Sequence, residues 1–209
     1  MMAASMILVK SQDGWAWRLP GTLAGVAAVF LVYLLGLKLL ANKVASLIAA
    51  FVFSIDGLNF VQSRTGMNDV YFVTFILASL LFLLEKRIFI CAVFFGLAIS
   101  SKWAAIYFIF LAIPLIIIQK QWLKILYFIF IPPIVYLLFY LPYFLLGNTF
   151  PQFVELQKQI WWYHTNLKAT HDYASPWWSW PLNLYPVWYF VDYTQNSIAN
   201  IFALGNPIV

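Results

Sequence analysis

Long apolar stretches alternate with short polar junctions over the first 146 residues, and the pattern predicts membrane-spanning helices. A helical span needs about 20 apolar residues. Residues 19–40 supply the first. Residues 44–61 supply a second, interrupted by Asp56 and Asn59, and 70–84 a shorter third. Residues 125–146 form the last, where Pro132, Pro133 and Pro142 are expected to kink the helix. The stretch 88–118 is long for one span and short for two, with Ser100, Ser101 and Lys102 at its middle. Charge decides between the readings. Lys38 and Lys43, Lys86 and Arg87, and Lys120 and Lys124 flank successive junctions. If 88–118 crosses twice, meeting at Ser101 and Lys102, all of these cations fall on one side, which is then cytoplasmic. That gives about six spans. Arg18, Arg64 and Lys102 then arrive at the opposite, exoplasmic surface.

After residue 146 the material changes. Residues 150–163 read as an amphipathic helix lying on the membrane, with Thr149 as cap and Pro151 in the first turn. Phe153, Ile160 and Trp161 are expected to form its apolar stripe. A Pro- and Trp-rich loop follows, and six of the ten tryptophans lie between Trp161 and Trp188. Aromatic side chains of this kind favour the headgroup level. The expected architecture is an all-α integral membrane protein, a polytopic bundle over 19–146. Residues 1–18 close a preceding exoplasmic region, and 147–209 form an exoplasmic helix and aromatic loop.

Composition agrees: 64% of residues are hydrophobic and only 9% charged, against about 25% charged in soluble domains. The net charge of +5 belongs to span ends and does not call for nucleic acid. Residues 1–10 carry no basic start or cleavage signature of a signal peptide. The sequence holds no Gly-rich phosphate loop, no Ser-His-Asp elbow, no Cys/His metal spacing and no N-x-Ser/Thr sequon. Cys91 is the single cysteine and has no intramolecular partner.

Chemistry concentrates at a few polar positions. The turn 62–69 carries Arg64 and Asp69. It reads either as a hairpin turn anchored to headgroups, with Asp69 capping the next helix, or as a phosphate-gripping site. Lys102, in a break between two apolar runs, either snorkels to the interface or makes a second phosphate contact. Asp56 faces Arg64 or Arg18, or caps a helix break; a structural role is the expectation. His164, Asn166, Lys168, His171 and Trp178 suit sugar recognition, where rings take the CH faces and polar groups the hydroxyls. The same residues also suit an interfacial anchor. The seven-residue spacing of the two histidines is not a usual zinc spacing, so no metal is expected.

Four segments resemble motifs of the protein O-mannosyltransferases. They are 14–20 (GWAWRLP), 62–64 (QSR) with Asp69, 96–103 (GLAISSKW), and 163–171 (YHTNLKATH) continued by 175–181 (SPWWSWP). Residues 186–189 (PVWY) and 205–207 (GNP) extend the last. The resemblance implies transfer of mannose from polyprenyl-phosphate mannose to Ser or Thr hydroxyls of proteins on the exoplasmic face of a prokaryotic plasma membrane, without a cofactor. It implies that a carboxylate removes the acceptor proton and that cations hold the departing phosphate. Arg18 is the first choice for that role, with Arg64 and Lys102 nearby and Asp69 and Asp56 in support. His164, Asn166, Lys168, His171 and Trp178 shape donor or acceptor contacts. The family's acidic pair belongs to a loop after an N-terminal span. Neither is found here, and Asp13 is misplaced to serve. The chain is therefore expected to be a fragment, also lacking C-terminal spans, and inactive alone. Two rival readings are a related transferase with a lipid or glycan acceptor, and a noncatalytic membrane protein that binds anionic lipid.

Overall fold

Several of the helical turns are made at left-handed residues: Lys10, Ala41, Lys86 and Lys120. The computed structural model describes residues 1–168, 175–194 and 197–205. A short helix α1 (Met2–Val9) ends at Lys10, φ 52°, and folds back on α2 (Gly14–Leu40). Its Ser5 hydroxyl donates to the Ala16 carbonyl (2.7 Å). Ala41 (φ 50°) ends α2, and Asn42 caps α3 (Lys43–Ser54) by accepting from the Val44 and Ala45 amides. Helix α4 (Gly57–Arg64) continues the chain at a 56° bend. Helices α5 (Asp69–Leu84) and α6 (Ile88–Ser101) are joined through Lys86, φ 62°.

A 3-10 turn (Trp103–Phe108) then feeds α7 (Ile109–Ile118), and Lys120 (φ 58°) marks the next reversal. Helices α8 (Ile125–Phe139), α9 (Leu141–Leu145) and α10 (Phe150–Asn166) follow. The all-α integral membrane architecture stands. Among the described residues two helices are long and apolar enough to cross a membrane, α2 and 122–139, or three with the bent α3–α4 pair. Three shorter apolar helical stretches complete the bundle.

Two contacts bear on the ambiguous stretch 88–118. Lys102 meets Asp69 at the start of α5. The Gln119 side-chain amide donates to the Leu83 carbonyl at the end of α5 (3.0 Å). Residues 102 and 119 therefore sit at opposite ends of the same helix, so the chain traverses the bundle out to Lys102 and back. The turn forms because the Ser100 and Ser101 hydroxyls bond back to the Gly96 and Leu97 carbonyls, and Lys102 is extended (φ −156°).

The best-buried part of the bundle is where α5, α6, α7 and α8 meet. Phe95 lies at its centre, ring centroids 5.7 Å from Phe108 and 5.3 Å from Phe128. Small residues let the helices approach, the usual device where lipid removes the hydrophobic drive between helices. A Cβ on Gly96 would lie 2.8 Å from Val135 Cβ and 3.0 Å from Pro132 Cα, which fixes the α6–α8 crossing.

Three segments are more sharply defined. Helix α8 runs on through Pro132 and Pro133 and ends only before Tyr140; Pro142 falls in the first turn of α9, where no N–H is needed. Among the apolar residues of the helix at 150–166, Phe153 is the buried one. Trp161 stays 63% exposed, because α10 meets the bundle mainly through Phe153 and Gln157. The aromatic loop is partly ordered: after a 3-10 turn (Trp177–Leu182), β1 (Val187–Tyr193) pairs antiparallel with β2 (Ile198–Ala203). Its β-branched and aromatic residues are strand formers.

Candidate functional site

Helix α2 and the α3–α4 pair touch at two places and part between them. At one end Gly36 lies against Ser46. At the other, Cβ atoms on Gly21 and Gly25 would come 2.8 Å from the Ser63 carbonyl and 2.7 Å from Ser63 Cβ. The 56° bend at Ile55–Asp56 opens the space between these contacts. The result is a cavity of about 1160 Å³. Arg18 and Arg64 line its polar end, and Val26, Val29, Phe30, Leu47 and Ala50 its apolar walls.

The two arginines form no ion pair with any described carboxylate. Each guanidinium instead lies over a ring, Arg18 above Trp17 (4.7 Å) and Arg64 above Phe60 (5.1 Å). Such stacking leaves the in-plane N–H donors available, as planar anion recognition requires. The hydroxyls of Thr22, Ser54 and Ser63, which also line the cavity, donate to backbone carbonyls within their own helices. The strong anion donors here are the two guanidinia.

Lys102 is placed elsewhere. Its ammonium pairs with Asp69 Oδ1 (2.5 Å), so its charge is locally neutralised. It lines a second cavity of about 750 Å³ with Trp103, Tyr107, Tyr136, Trp161 and His164. Three cations read as one cluster thus divide two and one. Asp69 does not act as cap for α5, whose cap position is Asn68. Asp56 does cap, accepting from the Asn59 amide (3.0 Å) at the bend.

Of the aromatic-loop candidates, only His164 lines a described cavity, with its ring 6.4 Å from that of Trp103. Asn166 closes the end of α10, its amide donating to the Trp162 carbonyl and to Thr165 Oγ1. Lys168 and Trp178 are exposed, and His171 lies outside the described residues. Among those residues no three His, Cys, Asp or Glu side chains gather as metal ligands do. Sequence reasoning missed Tyr136 and Gln157, which border the second cavity or bind its wall. An isolated Tyr in an apolar span and a Gln in an amphipathic helix carry no motif.

Comparison with known sequences adds the family. The sequence model described as dolichyl-phosphate-mannose-protein mannosyltransferase matches residues 1–146. A second, described as the C-terminal four TMM region of protein-O-mannosyltransferase, matches 149–209. The chain belongs to the protein O-mannosyltransferase family. Among similar curated proteins is a polyprenol-phosphate-mannose–protein mannosyltransferase of Mycolicibacterium smegmatis, 25% identical over 93% of this chain and 54% of its own length. The protein of the same name from Mycobacterium tuberculosis is 25% identical over 90% of this chain and 50% of its own. The chain thus spans about half the length of these mannosyltransferases. No solved structure matches.

Proposed function

We propose that this chain forms the donor-binding part of a polyprenyl-phosphate-mannose-dependent protein mannosyltransferase, with the Arg18 end of the bundle on the exoplasmic face. The observation that carries this is the pair of arginines, paired with no carboxylate among the described residues, at the head of an apolar cavity. A polyprenyl phosphate has the same two parts. Its phosphate takes charge-assisted bonds from Arg18 and Arg64, and its chain follows the apolar wall between α2 and α3. Along α2 that wall reaches from Arg18 to Tyr33, about 22 Å at the usual helical rise.

The chemistry follows from charge. Mannose leaves the donor as its bond to the phosphate oxygen breaks, and negative charge grows on that oxygen. Guanidinia fixed beside it stabilise that charge more than they stabilise the ground state. The acceptor Ser or Thr hydroxyl attacks the anomeric carbon and loses its proton to a carboxylate supplied by the wider protein. Asp69 is held by Lys102 and is not assigned that role.

The test uses the full-length protein in bacterial plasma-membrane preparations supplied with labelled polyprenyl-phosphate mannose and a Ser/Thr-bearing peptide. A hydrogen bond to a charged group contributes about 1.5–3 kcal/mol, so Arg18→Ala is expected to lower kcat/KM for the donor about tenfold to a hundredfold. Unchanged turnover would remove Arg18 from the mechanism. Transfer to a lipid or glycan in place of the peptide would redirect the acceptor assignment.

A further inference from the structure

Tyr136 makes one hydroxyl serve three elements. The Trp103 indole N–H donates to Tyr136 Oη (3.0 Å), and Tyr136 Oη donates to Gln157 Oε1 on α10 (2.7 Å). The Tyr140 hydroxyl lies 3.2 Å away. A phenol has one proton and two lone pairs. With the proton given to Gln157, both lone pairs are free to accept, one from Trp103 and one from Tyr140. All of its capacity is then used.

These partners are not a random set. Trp103 follows Lys102 directly, at the break between α6 and α7. Gln157 precedes Trp161 by four residues and His164 by seven, so the three share one face of α10. Trp103, Tyr136, Trp161 and His164 all line the second cavity, with Lys102. The Gly96 contact presses Pro132 and Val135 of α8 against α6, which brings Tyr136 within reach of Trp103. Gln157 also keeps its own amide nitrogen buried without a partner. Its carbonyl oxygen is the part in use.

We propose that Tyr136 is a positioning residue, latching the interfacial helix α10 to the Lys102–Trp103 break and so setting the shape of the cavity that the acceptor peptide enters. This rests on the mannosyltransferase reading above. The donor cavity between α2 and α3–α4 contains no residue of α8 or α10. On this proposal the second cavity serves the acceptor, so the latch acts on acceptor use and leaves donor use alone.

The test is a double-mutant cycle in the full-length protein with Tyr136→Phe and Gln157→Met, reading KM for donor and acceptor separately. Gln157→Met removes one neutral hydrogen bond and is expected to raise the acceptor KM about threefold to tenfold; Tyr136→Phe also removes the contacts to Trp103 and Tyr140 and should raise it at least as much. The double variant should be no worse than Tyr136→Phe alone, because the Tyr136–Gln157 bond is already lost there. The donor KM should stay within about twofold, reasoning from the separate cavities. Additive effects, an unchanged acceptor KM, or a donor KM that rises in parallel would overturn the latch.

Hydrogen exchange separates this from failure of the functional reading. With or without turnover, amides of 150–166 should exchange about threefold to tenfold faster in Tyr136→Phe, while those of 88–101 stay as in the wild type. Equal exchange at 150–166 overturns the latch. A wild-type protein that ignores polyprenyl-phosphate mannose overturns only the function.

Discussion

Replacing Gly21 by alanine tests whether close helix contact is what places Arg64 beside Arg18. The added Cβ would stand 2.8 Å from the Ser63 carbonyl oxygen, a backbone atom of α4 one residue before Arg64. Ordinary contact begins near 3.4 Å, so the helices must part by about 0.6 Å or strain by an equivalent amount. Alanine is intrinsically better than glycine in a helix interior by about 1 kcal/mol. Overpacking a filled contact costs about 1–3 kcal/mol. The carbonyl cannot rotate away as a side chain would, which puts Gly21 toward the upper end. The net is a loss of about 1–2 kcal/mol. The more telling readout is the donor KM, because displacing α4 carries Arg64 away from Arg18 while both arginines remain in the sequence. Gly14→Ala is the control, since its Cβ would meet only the Arg18 guanidinium, at an ordinary 3.8 Å. Purified full-length variants would be compared by thermal unfolding in detergent and by donor titration. If Gly21→Ala matches Gly14→Ala in both assays, tight contact does not set the spacing of the arginines.

The Lys102–Asp69 pair is partly exposed, with side-chain accessibilities of 48% and 24%. Exposed pairs contribute about 0–1 kcal/mol, so Asp69→Asn should move Tm little. It should also leave the donor KM unchanged, because Lys102 lies outside the cavity that Arg18 and Arg64 line; a donor KM that moves in Asp69→Asn would return Lys102 to the donor site. Two crossings between Arg87 and Lys120 predict that single cysteines at Trp103 and at Lys120, in a Cys91→Ala background, label from opposite sides of the membrane. Labelling of both from one side would contradict the return of the chain at Lys102.

The spans were legible because lipid imposes a length and a composition that few other environments share. Charge pairs at the junctions also pointed to the way 88–118 runs out along the bundle and back, a distinction that hydropathy alone leaves open. What the sequence could not show was pairing. Arg18, Arg64 and Lys102 look alike as isolated cations at one membrane surface. Only the fold brings Asp69 to Lys102, across 33 positions of sequence, and leaves the arginines without a carboxylate among the described residues. The hairpin of β1 and β2 was hidden for a different reason. Val187–Tyr193 is rich in residues that favour both strands and interfaces, and tryptophan density pulled the reading toward the second. Tyr136 was hidden because a hub is defined by partners on other elements.

That division of charge bears on how the site would work. An anionic donor entering near three unpaired cations would be bound tightly before reaction, and uniform binding does not speed the chemical step. With Lys102 engaged by Asp69, the cavity between α2 and α3 would, on the proposed function, present two positive charges to a phosphate monoester-like leaving group that gains charge as its bond to mannose breaks. Arg18 and Arg64 approach from different helices, α2 and α4, joined through the glycine contacts at Gly21 and Gly25. The spacing of their backbones is therefore set by helix packing, and stacking on Trp17 and Phe60 restrains the guanidinia. A fixed separation costs no reorganisation when charge develops, which is the condition under which electrostatic stabilisation becomes catalytic.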